Sequence, residues 1–343
     1  MKYCELHCKT NYSFLTGASH ADELVNTAIE LGYSALAITD ENTLAGIVRA
    51  YAAVREANAS EHSLKLLIGA EIIPNDAPPV VLWATDRKSY ARLTRLLTVG
   101  RRRAPKGECW LSFDDIAEYS EGLLAGVVPY IRGDRVRTAH IDETHPSYEW
   151  FSSSAQAIGN GSGETLQTKV PVPFIYRELF GDRAYLLAEL YRGVDDAWRI
   201  NELQQLAKET KLPLVAAGDV LYHSPARLPL HDVLTATKHK TTVAEAGDLL
   251  LPNAQRHLQS IEQRVAAVES IPGAIERTME IADRCNFCLS QLRYEYPEEL
   301  APNGQTPTQY LSTLTKKGSA ARYPAGVPAK VQKQIDHELK LID

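Results

Sequence analysis

Short apolar runs alternate with amphipathic stretches along most of the chain, and this alternation limits the possible folds more than any other feature. Runs at 3–6, 34–39, 64–68 (ending near Glu71), 80–84, 122–128, 184–190 and 212–217 have the length and composition of buried strands. Between them, Leu24, Val25, Ala28, Ile29 and Leu31 keep helical spacing until Gly32, and Leu44, Ile47, Val48, Tyr51 and Val54 repeat the pattern. Tyr90, Leu93, Leu96 and Leu97 line a third helix behind the cap Asp86; Trp198, Ile200, Leu203, Leu206 and Ala207 line a later one. Repeated βα units predict a parallel sheet, and 343 residues suit a barrel better than a small open sheet. In such a barrel the C-terminal ends of the strands form one mouth. His7, Asp40, Glu71 and Asp219 each fall at or just beyond a strand end, so topology alone is expected to bring them together.

The first strand end carries His7-Cys8-Lys9. Alternate residues of a strand share a face, so His7 and Lys9 are expected to point into the same space. A His-x-His pair there would chelate a metal, whereas an ammonium beside the remaining imidazole repels a divalent cation. The pattern is that of a metal site in which one ligand has been exchanged for a positive charge. His223 does not restore it, because it lies about 13 Å beyond Asp219 along an extended strand unless the chain turns sharply at Tyr222.

Further motifs follow in order: Tyr12-Ser13-Phe14-Leu15-Thr16-Gly17, Ala37-Ile38-Thr39-Asp40-Glu41, Leu44-Ala45-Gly46 and Ile68-Gly69-Ala70-Glu71. Leu212-Pro213-Leu214-Val215-Ala216-Ala217-Gly218-Asp219-Val220 and Leu292-Arg293-Tyr294-Glu295-Tyr296-Pro297 come later. Together with His7-Cys8-Lys9 they resemble the PHP (polymerase and histidinol phosphatase) domain, in the form that opens the error-prone bacterial C-family DNA polymerases, paralogues of the DNA polymerase III alpha subunit. The resemblance implies a distorted, TIM-like β/α barrel of seven strands over residues 1–285, with an irregular insertion at 133–170. Residues 286–343 would form a small α-helical connector and the start of the polymerase core. The last helix, opened by Pro328 with Val331, Ile335, Leu339 and Ile342 on one stripe, reaches Asp343 without a stop signal and reads as leading into something longer.

Carried over residue by residue, the resemblance implies metal ligands at His7, Glu71 and Asp219, with Asp40 preceding one. Lys9, Thr16, Glu41 and Leu221 stand where active members place a His, an Asp, a His and a His, and Pro79 stands for a further His. The implied reading is a degenerate, metal-poor scaffold that stabilises a polymerase core and docks partners, with no cofactor in this fragment. Its rival is a metal-dependent phosphoesterase or 3′-5′ exonuclease holding Mn²⁺, Zn²⁺ or Mg²⁺ at the residual site. The parent would transfer nucleotides to a DNA primer with Mg²⁺ in damage-induced, translesion mutagenesis. Its implied partners are the rest of the polymerase chain, DNA, accessory mutagenesis proteins and the sliding clamp.

Charge and cysteine content bound these readings. The balance of 37 Lys+Arg against 43 Asp+Glu gives a net charge of -6, so this chain is not expected to be the main grip on DNA phosphates. Five cysteines, an odd number, and no N-terminal apolar signal region predict reduced thiols in a cytoplasmic protein. No apolar run approaches a membrane span. Cys285-x-x-Cys288 has no second pair at zinc-ribbon spacing and reads as buried thiols at a helix end. Arg101-Arg102-Arg103 with Lys106 reads as a solvated helix C-terminus favoured by the helix dipole, in preference to a nucleic-acid contact. His231, His239 and His257 show no mutual ligand spacing.

Overall fold

Seven strands form one sheet in sequence order: β1 (Cys4–Glu5), β2 (Ala35–Ile38), β3 (Lys65–Ile72), β4 (Val80–Ala84), β5 (Leu123–Val127), β6 (Ala184–Glu189) and β7 (Leu214–Ala217). The computed structural model describes residues 1–59, 63–129, 173–292, 301–302 and 304–342. The predicted insertion at 133–170 lies outside these residues, as does most of the motif from Leu292 to Pro297. Two compact units are present, Met1–Leu292 and Arg293–Asp343.

Alternating residues of the strands sort into two cores. Ala35 and Ala37 pack with Leu6, Trp83, Tyr185 and Leu187, whereas Leu36 and Ile38 pack with the helices around the sheet. Covered on both faces, the strands are mainly apolar, and β2, β4, β5, β6 and β7 are wholly buried. The inner core shows that the sheet curls on itself: Trp83 on β4 donates its indole N–H to Leu6 O beside β1 at 3.0 Å. Space for that ring comes from Gly126, where a Cβ would lie 2.3 Å from it. The seam between first and last strands closes just past their ends, where Cys8 and Val220 form a parallel bridge through Val220 N to His7 O and Lys9 N to Val220 O, both 2.8 Å.

The seven-stranded α/β barrel expected from the sequence is therefore found, with one strand running the other way. β4 is antiparallel to both β3 and β5. Residues 73–79, with Pro74, Pro78 and Pro79, are too few for a crossover of about a dozen residues, so the chain folds straight back. β3 also runs on through Glu71 to Ile72 because β4 pairs with it there.

Around the sheet lie α1 (Ala21–Glu30), α2 (Ile47–Asn58), α3 (Arg87–Arg103), α4 (Phe113–Glu118), α5 (Pro173–Phe180), α6 (Asp196–Thr210), α7 (Leu228–Lys238), α8 (Ile261–Ala267) and α9 (Glu276–Arg284). Between α8 and α9 the chain turns at Gly273, whose φ of 77° is open to glycine without strain. At the start of α1, Ser19 bonds His223 and the Glu23 carboxylate accepts the His20 N–H at 2.8 Å. In the second unit, α10 (Pro307–Arg322) starts on a reciprocal Thr306–Gln309 capping box and α11 (Ala329–Ile342) follows Pro328. No described helix is long and apolar enough to cross a membrane.

One buried histidine gives the barrel a pH dependence. His231 on α7 packs against Tyr222, ring centroids 5.8 Å apart, and burial pushes its imidazole down to about 4. The folded chain holds it neutral where the unfolded chain would bind a proton. The resulting stability is complete above the ordinary histidine value near 6.5 and is lost as pH falls through about 4. Replacing His231 by Phe should reduce the loss of stability between neutral pH and pH 4 by roughly 3 kcal/mol. Urea midpoints at both pH values check this, and an unaltered pH dependence would contradict it.

Candidate functional site

The mouth of the barrel gathers side chains from four strand ends. His7 and Lys9 follow β1, Glu71 lies near the end of β3, Glu189 ends β6 and Asp219 follows β7; all five are buried. His7 Nδ1 is 2.7 Å from Glu189 Oε1. Its Nε2 makes no hydrogen bond and lies 3.5 Å from Glu71 Oε2 and 3.8 Å from Asp219 Oδ1. Lys9 and His7 do share a space, as the strand alternation predicts: the Lys9 ammonium sits 2.8 Å from Glu71 Oε2 and 2.7 Å from Asp219 Oδ1.

Asp219 is held from its other side as well. The Arg256 guanidinium pairs with Asp219 Oδ2 and donates through Nε to the Asp219 carbonyl at 3.0 Å. These contacts fix Asp219 in the left-handed region, φ 43°, which Asp tolerates better than most residues. Tyr191 donates its hydroxyl to Glu189 Oε2 at 3.2 Å and Asp219 Oδ2 at 3.3 Å, and is flanked by Arg199 and Arg256, 5.2 and 5.1 Å from its ring centre.

The other sequence-predicted residues lie nearby in different roles. Asp40 is buried and accepts from Thr10 N at 2.7 Å, Thr10 Oγ1 at 2.8 Å and Ser13 Oγ at 2.7 Å. Burial raises its carboxyl above the usual range while these hydrogen bonds pull it back. Asp40 therefore organises the loop after β1. Glu41 is half-buried, bridged through its backbone to Glu71, with its N–H on Ser13 Oγ. Thr16 Oγ1 accepts from Lys238 Nζ at 3.3 Å, and Leu221 is buried with Ala18 and Tyr222. Pro79 directly precedes β4. His223 turns to Ser19, its Nδ1 2.8 Å from the hydroxyl, and supplies nothing to the cluster.

Gly46 lets the Asp40 clamp form, since a Cβ there would lie 2.3 Å from Asp40 Oδ2 and 2.7 Å from Thr10 Oγ1. Gly46→Ala is expected to destabilise the barrel by about 1–3 kcal/mol, the usual cost of overpacking. A urea midpoint equal to that of the parent chain would refute this.

His7, Glu189 and Asp219 place three ligand atoms within 4.8 Å of one another. Geometry alone would let them hold a single cation. The donor chemistry argues otherwise, because the Asp219 oxygens already carry an ammonium and a guanidinium, and the nearest Glu71 oxygen carries the same ammonium. A divalent ion on this triad would have to displace Lys9. At the other expected positions Lys9, Leu221 and Pro79 offer no side-chain donor atom for a cation.

Glu189, Tyr191 and Arg256 are the participants that sequence reasoning missed. Glu189 had a readable signal, an acid closing the apolar run Ala184-Tyr185-Leu186-Leu187-Ala188, the same placement that marked Glu71. Arg256 had none, since it lies in irregular chain after α7.

Residues 5–160, from β1 past β5, match the family model described as the PHP domain. Over its whole length the chain is similar to the N-terminal part of error-prone DNA polymerases. It is 46% identical over 343 residues to the error-prone DNA polymerase of Rhodopirellula baltica, covering 100% of this chain and 28% of the relative. With that of Pseudomonas aeruginosa the identity is 42% over 342 residues, covering 99% of this chain and 29% of the relative. The chain thus spans less than a third of the curated relatives it matches. Among solved structures, an amidohydrolase from Chromobacterium violaceum aligns with a TM-score of 0.38 at 14% identity, over 64% of this chain and 87% of its own.

Proposed function

We propose that this chain is the scaffold domain of an error-prone DNA polymerase, with a PHP mouth in which Lys9 has replaced the metal. The observation that carries this reading is the Lys9 ammonium shared by Glu71 and Asp219 at 2.8 and 2.7 Å. A fixed internal cation balances carboxylates that would otherwise repel, and does so without offering an open position for a water nucleophile. His7, Lys9, Thr16, Asp40, Glu41, Glu71, Asp219 and Leu221 are then the positions of a vestigial metal site. Residues 1–285 stabilise the polymerase core, and 286–343 lead into it. The parent would be a cytoplasmic, Mg²⁺-dependent enzyme of translesion synthesis and repair, working with the sliding clamp and accessory mutagenesis proteins.

A second reading keeps one specific observation in its favour: the buried His7 Nε2 without a hydrogen bond, facing two carboxylates. It would make the domain a metal-dependent phosphoesterase or 3′-5′ exonuclease. Metal content by mass spectrometry, on chain purified with excess Mn²⁺ and Zn²⁺ and then desalted, separates the two. The scaffold reading expects no stoichiometric ion and a melting temperature indifferent to added metal. Two or more tightly held ions per chain would overturn it.

A further inference from the structure

We infer that the outer face of α3 is a docking surface for the phosphodiester backbone of duplex DNA. In a chain of net charge -6, this helix carries Arg87, Lys88, Arg92, Arg95 and the run Arg101-Arg102-Arg103, with no acidic residue from its first position to its last. Every one of these except Arg92 is exposed. The charge extends over the whole helix and far beyond the last turn, so the helix dipole, which acts over a single turn, does not account for it.

Local partners use up only part of this charge. Arg92 pairs with Glu121, Arg103 pairs with Asp115 at 2.7 Å, and Arg101 donates to Asn42 O at 2.9 Å. Among the described residues, Lys88, Arg95 and Arg102 have no carboxylate partner. They are seven residues apart, so they fall within about 20° of one another per step and span roughly 21 Å along the helix. Ala91 and Thr98, exposed on the same side, are too small to obstruct an approaching surface.

The Arg101–Asn42 bond sets one end of this stripe beside the loop that follows Asp40 and Glu41, at the rim of the mouth. A row of cations with this reach suits a row of phosphates. Phosphate contacts of this kind position a protein without reading bases. The choice of DNA over other polyanions rests on the polymerase reading above. The charged face itself does not.

The test is fluorescence anisotropy of a labelled 20-base-pair duplex with the full chain, titrated at several salt concentrations. Three proteins are compared: the parent chain, a Lys88→Ala/Arg95→Ala/Arg102→Ala variant, and a control with Lys316→Ala, Lys317→Ala and Arg322→Ala on the exposed face of α10. Loss of three phosphate contacts should lower the slope of log K against log salt by about 2.7, with tenfold or greater weakening at low salt. The control should match the parent, and thermal melting should show both variants folded. Absence of binding by the parent chain, or equal weakening by both variants, overturns the inference. A duplex RNA bound more tightly than DNA, and lost in the α3 variant, overturns DNA as the occupant and counts against the polymerase reading while leaving the cationic face in place. Loss of DNA binding in the α3 variant, in a chain later found to hold metal, would leave this inference standing while the scaffold reading fell.

Discussion

Lys9→Ala is expected to destabilise the first unit by about 3–5 kcal/mol, the cost of leaving buried charges without their partner. Lys9 is the ammonium shared by Glu71 and Asp219. Without it, two buried carboxylates face the same space, and Arg256 still neutralises only the far side of Asp219. Chemical denaturation gives the loss directly. A double-mutant cycle with Glu71→Gln should recover part of it, because removing one carboxylate charge removes part of the repulsion. If the unfolding midpoint of Lys9→Ala equals that of the parent chain, the ammonium is not what holds the mouth together. Added Mn²⁺ supplies a further readout: a melting temperature restored by the ion in Lys9→Ala, and unaffected in the parent, would mean that Lys9 occupies a cation position.

Glu5→Ala should have the larger effect, above about 5 kcal/mol, comparable with the whole stability of many domains. The buried Glu5 carboxylate accepts three backbone N–H groups, from Leu6 and His7 at 3.1 Å and from Gly218 at 2.7 Å, and the Tyr3 hydroxyl at 2.8 Å. The Gly218 bond crosses the seam between β1 and β7, where the two strands make no ladder of their own. Arg264, fully buried, has its Nε 3.9 Å from the same carboxylate. Alanine would strand three backbone donors and leave a buried guanidinium without its nearest anion, each donor at a cost of about 1–3 kcal/mol. The expected result is a chain that no longer unfolds cooperatively by circular dichroism. Glu5→Gln keeps an acceptor oxygen and the side-chain shape, and should remain folded with reduced stability. Wild-type-like melting of Glu5→Ala would show that the seam is closed by the Cys8–Val220 bridge alone.

Gly218 explains part of this arrangement. A Cβ there would fall 2.3 Å from an Arg264 nitrogen and 2.6 Å from Glu5 Oε2, so only glycine lets the carboxylate approach the seam. The residue was visible in the sequence inside Ala217-Gly218-Asp219, but nothing near it in the chain hinted at the reason.

What the sequence determined by itself was the local periodicity and everything that follows from it. Alternation of strand and helix patterns located the seven strands, and strand ends located His7, Glu71 and Asp219. The two-residue repeat of a strand sufficed to place Lys9 beside His7. Only the tertiary structure showed β4 pairing antiparallel with both β3 and β5, because the strand and helix alternation reads as a parallel sheet and the short connection at 73–79 is the one local cue against it. Likewise, Asp40 had the right position for the mouth cluster and was taken instead by Thr10 and Ser13. Glu189 and Arg256 entered because folding carries them to His7 and Asp219, and Glu5 closes the seam because folding carries Gly218 to it. The physical reason is that backbone conformation is set largely by near neighbours, whereas a buried charge takes whichever partners the closed barrel delivers.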